Sequence, residues 1–305
     1  MKKSIAVSSK GYGMSDFEDA KRAIFDREFE KKGLDVNFFN WDGVTENNCV
    51  LDNADSSQSR YGNLGEFDYV YISALGSIEG KESKLCDFID CLNHTPAKVV
   101  NDPETMRANF DKGYLLQLQE QGIDVVPTDD GRYLSFSDLE RFEKWNDGLV
   151  LKPRLFGERS NGVVKSSDLV SKESFDNYKS QYGGAILVQP FLKGIVENGE
   201  RSFVYVGKDF SHGIYRHRAD WQFVPGTANR TIIEPTDKEL ETIKNIFDVW
   251  PTKYHVSRFD FITEGGKPMV SEVEMVNPNV WLGRGIKTVD ETFPRMLADY
   301  LLKMS

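Results

Sequence analysis

Cysteine, histidine, basic excess and long apolar runs are all scarce in this chain of 305 residues, and each scarcity excludes something. The three cysteines, Cys49, Cys86 and Cys91, are an odd number with no paired metal-ligand motif, so neither a disulfide framework nor a zinc ribbon is expected. Cys86 and Cys91 fall in an apolar helical stretch and read as buried, reduced thiols of a cytosolic protein. The four histidines, His94, His212, His217 and His255, are scattered, and none has the spacing of a helical zinc pair. They are assigned structural or peripheral places, with His212 nearest the expected site. Net charge is -10 and the pI is near 5.1, which sets a phosphate-backbone partner or an anionic membrane against repulsion. No run of about twenty apolar residues occurs, and residues 1–9 turn polar too early for a signal-peptide core, so export and membrane insertion are not expected.

What is present is the composition of a soluble globular protein, 39% hydrophobic and 28% charged, long enough for two or three packed units. Strand-like runs at residues 5–8, 34–41, 67–73 and 98–101 alternate with helical periods at 16–32 and 83–92. That alternation predicts a parallel α/β unit. A helix over 103–121 and a strand over 123–128 follow. From residue 148 the pattern shifts to short strands and glycine turns, and it closes with a helix from about 290 to 303. Three units are expected, over residues 1–100, 101–185 and 186–305.

The richest stretch lies in the last quarter. Arg258-Phe259-Asp260-Phe261-Ile262 precedes a polar turn, Glu264-Gly265-Gly266-Lys267-Pro268, and then Met269-Val270-Ser271-Glu272-Val273-Glu274. Alternation along a strand puts Arg258 with Asp260 on one side, and Glu272 with Glu274 on one side of the partner. Three carboxylates brought together raise one another's titration unless a cation intervenes, and magnesium prefers such hard oxygen donors. A magnesium-nucleotide site is the leading reading; a solvated acidic hairpin is the plain alternative.

Other segments carry compatible chemistry. Leu149-Val150-Leu151-Lys152-Pro153 is a buried-type strand running into the turn Phe156-Gly157-Glu158-Arg159-Ser160-Asn161-Gly162, whose amides can hold phosphate oxygens beside a lysine. It is not a Walker loop, and an ordinary hairpin with a surface lysine is the alternative. Lys112 stands at a helix start, where its charge opposes the dipole and a bound anion would relieve the conflict. Gln189-Pro190-Phe191-Leu192 ends an apolar strand with a proline that removes a ladder donor and frees edge groups for a purine. Glu200 can accept from ribose hydroxyls. Arg216 and Arg218 share one side of a strand and suit phosphate or carboxylate. Trp221-Gln222-Phe223 reads as an ordinary loop packing cluster, with a place in the lining of the substrate pocket as the alternative.

The ordered set Lys112, Lys152 with its glycine turn, Gln189 to Leu192, Glu200, Arg258-x-Asp260 and Glu272-x-Glu274 resembles the ATP-grasp superfamily of carboxylate-amine ligases. Val188-Gln189-Pro190-Phe191, Gly199-Glu200-Arg201-Ser202, Phe210-Ser211-His212 and Glu272-Val273-Glu274 resemble the branch with the cycloserine-forming ligase and glutathione-synthetase-like proteins. The resemblance covers roughly residues 100 to 300. It implies an α/β fold with a parallel N-terminal unit, a small central lid and a C-terminal antiparallel sheet.

It also implies site roles. Lys112 and Lys152 would meet the α- and β-phosphates of ATP, under a turn that includes Gly157, Ser160 and Gly162. Gln189, Pro190, Phe191 and Leu192 would face adenine, and Glu200 the ribose. Asp260, Glu272 and Glu274 would hold Mg2+, with Arg258 on the transferring phosphoryl group and later oxyanion, and Arg216 on the γ-phosphate. The implied partners are a small carboxylate and an amine, with a homodimer as an open assembly state. Asn277, where the cycloserine branch often has an acid, and the absence of an arginine in Tyr69-Val70-Tyr71-Ile72-Ser73 set the cycloserine reaction itself apart. Glycoside cleavage by paired acids would leave the lysines and Arg258 without a role. An ATP-dependent intramolecular cyclo-ligase of the cycloserine-forming type and a nucleotide sensor without catalysis are the remaining alternatives.

Overall fold

Three sheets organise the chain, and each follows from a different sequence period. The computed structural model describes residues 2–9, 16–45, 48–52, 60–75, 81–142, 148–155, 162–217, 229–250 and 252–304. The N-terminal sheet has six strands in the order Arg60–Asn63, Asn48–Asp52, Leu34–Thr45, Lys3–Ser8, Tyr69–Tyr71, Lys98–Val100. Its last four strands are parallel, joined through the crossover helices Asp16–Glu30 and Glu82–Leu92. Ile5, Val7, Tyr69 and Tyr71 pack against Phe25 and Phe29 on one face, while Ala6, Val70 and Ile72 pack against Leu85, Phe88 and Ile89 on the other. Burial on both faces explains the short, near-continuous apolar strands, and the mixed α/β class read from the sequence is what the structure has. The antiparallel edge pair Asn48–Asp52 and Arg60–Asn63 extends the sheet beyond the expected strands. Cys49 is buried, whereas Cys86 and Cys91 are only partly covered, at the rim of the core rather than inside it.

The central sheet is antiparallel, in the order Asp129–Asp130, Ile186–Pro190, Leu149–Pro153, Val164–Lys165. Leu149, Leu151, Ile186 and Val188 bury one face against Phe175 and Tyr178 of the helix Lys172–Gln181. That helix departs from the strand-and-turn reading, because Phe175 and Tyr178 are its only buried positions and show no full period. Ser171 caps it by accepting from the Ser174 amide.

Five antiparallel strands form the C-terminal sheet, in the order Asn229–Ile233, Asp209–His217, Glu200–Val206, Val256–Glu264, Lys267–Glu274. Phe203, Tyr205, Phe259 and Phe261 pack on one face against the helix Asp237–Val249 and residues 114–125. Val204, Val206, Ile214 and Val256 face the other way, onto the N-terminal unit and the helix Lys287–Lys303. Among the described residues no helix is long and apolar enough to cross a membrane.

Two expected elements differ. The single helix over 103–121 is two, Pro103–Phe110 and Tyr114–Glu120, because Asp111 takes an extended backbone and bridges Leu155. The strand over 123–128 reduces to one parallel bridge, Val125 to Val270. Pro127 has no amide to donate, and Thr128 turns back to accept from and donate to the Gln119 side chain at 3.1 and 2.8 Å.

Candidate active site

The hairpin of Val256–Glu264 and Lys267–Glu274 turns at Gly265 and Gly266, whose φ values of 56° and 79° suit a type I′ turn that glycine adopts without strain. Its register sets Arg258 opposite Glu274 and Asp260 opposite Glu272. Immediately beyond Asp260 the ladder is irregular, passing from the Asp260–Glu272 pair to Phe261–Val270 and leaving Ser271 as an extra residue. The bulged Ser271 carbonyl accepts from the Lys152 ammonium at 3.4 Å, and its hydroxyl donates to the Asp260 carbonyl at 3.2 Å. A bulge thus turns a strand residue toward a lysine of a different sheet.

Side chains also hold the outer edge of the hairpin. Asn109 donates to the Val273 carbonyl at 2.8 Å and accepts from the Met275 amide at 2.7 Å. The Tyr114 hydroxyl donates to Val273 O at 2.8 Å and accepts from Val273 N at 3.0 Å. An edge that would invite another strand is closed by the segment that carries Lys112.

The acids do not point into open solvent. Arg258 donates from Nε to Asp260 Oδ1 at 2.9 Å and from Nη2 to Oδ2 at 2.8 Å, and it also pairs with Glu274. Arg216 pairs with Glu200, donates to Ser202 Oγ at 3.2 Å and lies 3.8 Å from Asp260. Lys112 Nζ is 3.4 Å from Glu272 Oε1. Burial pushes the Glu274 carboxyl up to about 7, with Glu272 and Asp260 adding to the rise and Arg258 resisting it. Burial would also raise Asp260, but Arg258 and Arg216 hold it below the ordinary carboxylate range. Burial brings the Lys152 ammonium down to about 8, helped by Lys112 and opposed by Glu272. Lys112, Lys152, Arg216, Arg258, Glu200, Asp260, Glu272 and Glu274 therefore share one patch although they come from several separate segments.

Glu272 reaches the lysine side at Lys112, while Glu274 is buried against Arg258, and burial is what raises its carboxyl. The carboxylate oxygens of Asp260, Glu272 and Glu274 are hard donors of the kind that suits a divalent ion such as magnesium in composition. Among the described residues no three acids converge as a ready metal cage, because Arg258 stands between Asp260 and Glu274 and supplies positive charge there.

The remaining expected residues lie on the central sheet. Gln189 is buried and donates from Nε2 to Thr128 Oγ1 at 2.8 Å, so its side chain supports the sheet. Pro190 ends its strand opposite Leu149, the Phe191 amide donates to Gly148 O at 2.9 Å, and the Leu192 carbonyl accepts from Ile195. Lys165 Nζ sits 3.7 Å from the centre of the Phe191 ring. Gly162 has φ +76°, and a Cβ there would collide with Tyr182 and Pro153. Its carbonyl accepts from the Tyr178 hydroxyl at 2.7 Å. Gly157, Ser160, Arg218 and Trp221-Gln222-Phe223 lie outside the described residues. Three contributors were not expected from the sequence: Ser202 beneath Arg216, Arg154 beside Lys112, and Trp281, whose ring stands against Arg216 and Arg258. Alternation with Glu200 along one strand was the available signal for Ser202, whereas Arg154 and Trp281 arrive by chain return with no period to mark them.

No protein-family model matches the chain, and no curated protein matches it in sequence. Solved structures do match in shape over nearly the whole length. The chain is similar to D-cycloserine synthetase DcsG, with a TM-score of 0.73, 15% identity, and 98% of this chain and 99% of that one covered. It is similar to the RimK domain ATP-grasp protein of Sphaerobacter thermophilus DSM 20745, with a TM-score of 0.65, 15% identity, and coverage of 98% and 99%. It is also similar to the ATP-grasp ligase PsnB, solved with a phosphomimetic variant of its minimal precursor, Mg and ADP, with a TM-score of 0.63, 12% identity, and coverage of 99% and 98%. With its parallel N-terminal sheet, small central sheet and acid-bearing C-terminal antiparallel sheet, the chain has the ATP-grasp fold.

Proposed function

We propose that the protein is an ATP-dependent ligase that activates a carboxylate as an acyl phosphate and joins it to an amine, with small amino-acid-like substrates. The observation that carries this reading is the meeting of Lys112 and Lys152, from different segments, with the acidic hairpin of Asp260, Glu272 and Glu274. A glycosidase would have no use for those cations.

A carboxylate acylates poorly because its leaving group would be oxide, and phosphorylation supplies a better one. The protein's task is then positioning and charge neutralisation. In this reading Lys112 and Lys152 offset the phosphates, and Gly157, Ser160 and Gly162 are the further residues assigned to contact them. Gln189 to Leu192 flank the adenine, Glu200 meets the ribose, and Arg216 meets the γ-phosphate. Asp260, Glu272 and Glu274 would hold magnesium, which would help neutralise the terminal phosphates. Arg258 then favours the tetrahedral oxyanion formed when the amine attacks. Water would hydrolyse the acyl phosphate, and the central unit, residues 101–185 in the sequence division, serves as the lid that excludes it.

The test is an ADP-release screen over amino acids, singly and in pairs and with short peptides, read with mass spectrometry of the products. ADP that requires two compounds establishes ligation. ADP from one compound alone points to ring closure or simple phosphorylation, the outcome that similarity to a cycloserine synthetase makes worth including. ATP binding with no ADP from any combination would replace the ligase reading with a nucleotide sensor.

A further inference from the structure

Trp281 is, among the described residues, the one non-glycine residue with positive φ, at 54°. An L-residue with a bulky side chain resists that region sterically, so the surroundings must impose it. They do so on three sides. The Asn279 side chain accepts from the Trp281 amide at 3.0 Å, and the Trp281 carbonyl accepts from the Arg284 amide at 3.3 Å. One residue earlier, the Val280 carbonyl lies 3.1 Å from His212 Nε2, which ties the strap to the strand Asp209–His217.

The consequence is where the indole lands. It is 2% exposed, and its centre lies 5.3 Å from the Arg216 guanidinium carbon and 5.6 Å from that of Arg258. Two guanidinium groups near each other repel, and each long side chain has several rotamers to choose from. A buried aromatic face attracts both cations through its quadrupole and blocks rotamers that would swing them away, and tryptophan offers the strongest such face. The same two arginines bind Glu200, Asp260 and Glu274, so each guanidinium is held by both the indole and an acid.

We propose that Trp281 is a positioning residue: its strained backbone aims the indole at Arg216 and Arg258 and fixes both guanidinium groups for the charge that develops during phosphoryl transfer and amine attack. This inference rests on the ligase reading for its kinetic consequence and on geometry alone for the orientation of the arginines.

Two variants test it. Trp281→Phe keeps an aromatic face, and Trp281→Leu keeps apolar bulk without one. Trp281→Leu is expected to lower kcat roughly tenfold or more while KM for ATP stays within about twofold, and Trp281→Phe to retain most of kcat. If Leu fails to fold, Trp281→Met takes its place. The second measurement uses no substrate: the side-chain Nε–H signals of Arg216 and Arg258, assigned through Arg216→Lys and Arg258→Lys, are expected sharp in the wild type and the Phe variant and broadened in the Leu or Met variant. Equal kcat for the Phe and apolar variants, with unchanged arginine signals, would overturn the proposal. A wild type without turnover on any substrate defeats the ligase reading while the arginine signals still decide the orientation.

Discussion

Arg154 forks onto Asp111, with Nε 2.8 Å from Oδ1 and Nη2 2.7 Å from Oδ2. The Lys112 amide donates to the Arg154 carbonyl at 2.8 Å, so this pair fastens the backbone of one candidate-site lysine two residues beyond the other, Lys152. Gly113 is part of the same fit, because a Cβ there would strike the Arg154 guanidinium. Its φ of -56° is ordinary for any residue, which leaves that collision as the main cost of a side chain. Gly113→Ala is therefore expected to lose roughly 1–3 kcal/mol. In an Arg154→Ala background most of the loss should disappear, leaving the close approach to Asp111 Oδ1, and a urea-denaturation cycle that finds the two effects additive would refute the fit.

Asn101 joins the N-terminal unit to the hairpin. It accepts from the amides of His255 and Val256 at 2.6 and 2.8 Å and donates to the carbonyls of Val256 and Met275 at 2.6 and 2.5 Å. Asn101→Ala leaves those buried backbone groups unpaired and should cost roughly 3 kcal/mol or more. Chemical denaturation measures it, and a loss within the range of ordinary surface substitutions would show that water replaces the side chain.

Lys152 is held charged in a buried place at the expense of stability. Its folded value near 8 lies below the model-compound value of 10.5, so the unfolded chain binds more protons between those values and stability rises with pH across that window. At pH 7 the charged, desolvated form is the one present. Lys152→Met is expected to raise the melting temperature while abolishing the shift that ATP produces. An unchanged ATP-dependent shift would remove Lys152 from the phosphate site.

His212 makes the protein acid-sensitive. Ser211 Oγ lies 2.9 Å from Nδ1 and the Val280 carbonyl 3.1 Å from Nε2, so the proton belongs on Nε2 and Nδ1 accepts. Burial brings the ring down to about 4, from an ordinary 6.5. Between these values the unfolded chain takes up a proton that the folded chain refuses, and stability falls as pH drops from 6.5 toward 4. His212→Gln should flatten that part of the stability profile; an unaltered slope would assign the acid sensitivity to other groups.

Glu272 is the more informative acid to change. Its side chain is 34% exposed against 2% for Asp260, whose carboxylate also binds Arg258, so Asp260→Asn mixes folding with chemistry. Glu272→Gln should keep the melting temperature and lower magnesium-dependent ADP release by roughly 100-fold or more. Turnover at the wild-type level would count against the metal assignment.

The alternation of Arg258 with Asp260 and of Glu272 with Glu274 was legible before any coordinates, because strand geometry commits every second side chain to one face. The parallel N-terminal unit was legible too, since strands buried on both faces must be apolar throughout. The helix 103–121 was misread because the break at Asp111 is made by Arg154, which arrives from another sheet. Thr128 pairs with Gln119, nine residues earlier in the preceding helix, rather than with a strand ladder, because Pro127 interrupts the ladder donors.

Local periods and residue chemistry determined which elements form and which side chains carry charge. Tertiary structure alone decided that Ser271 bulges toward Lys152, that Arg258 sits between two acids, and that Trp281 faces both arginines. Those outcomes depend on register, loop return and burial, which couple residues of different elements and leave no period in the sequence.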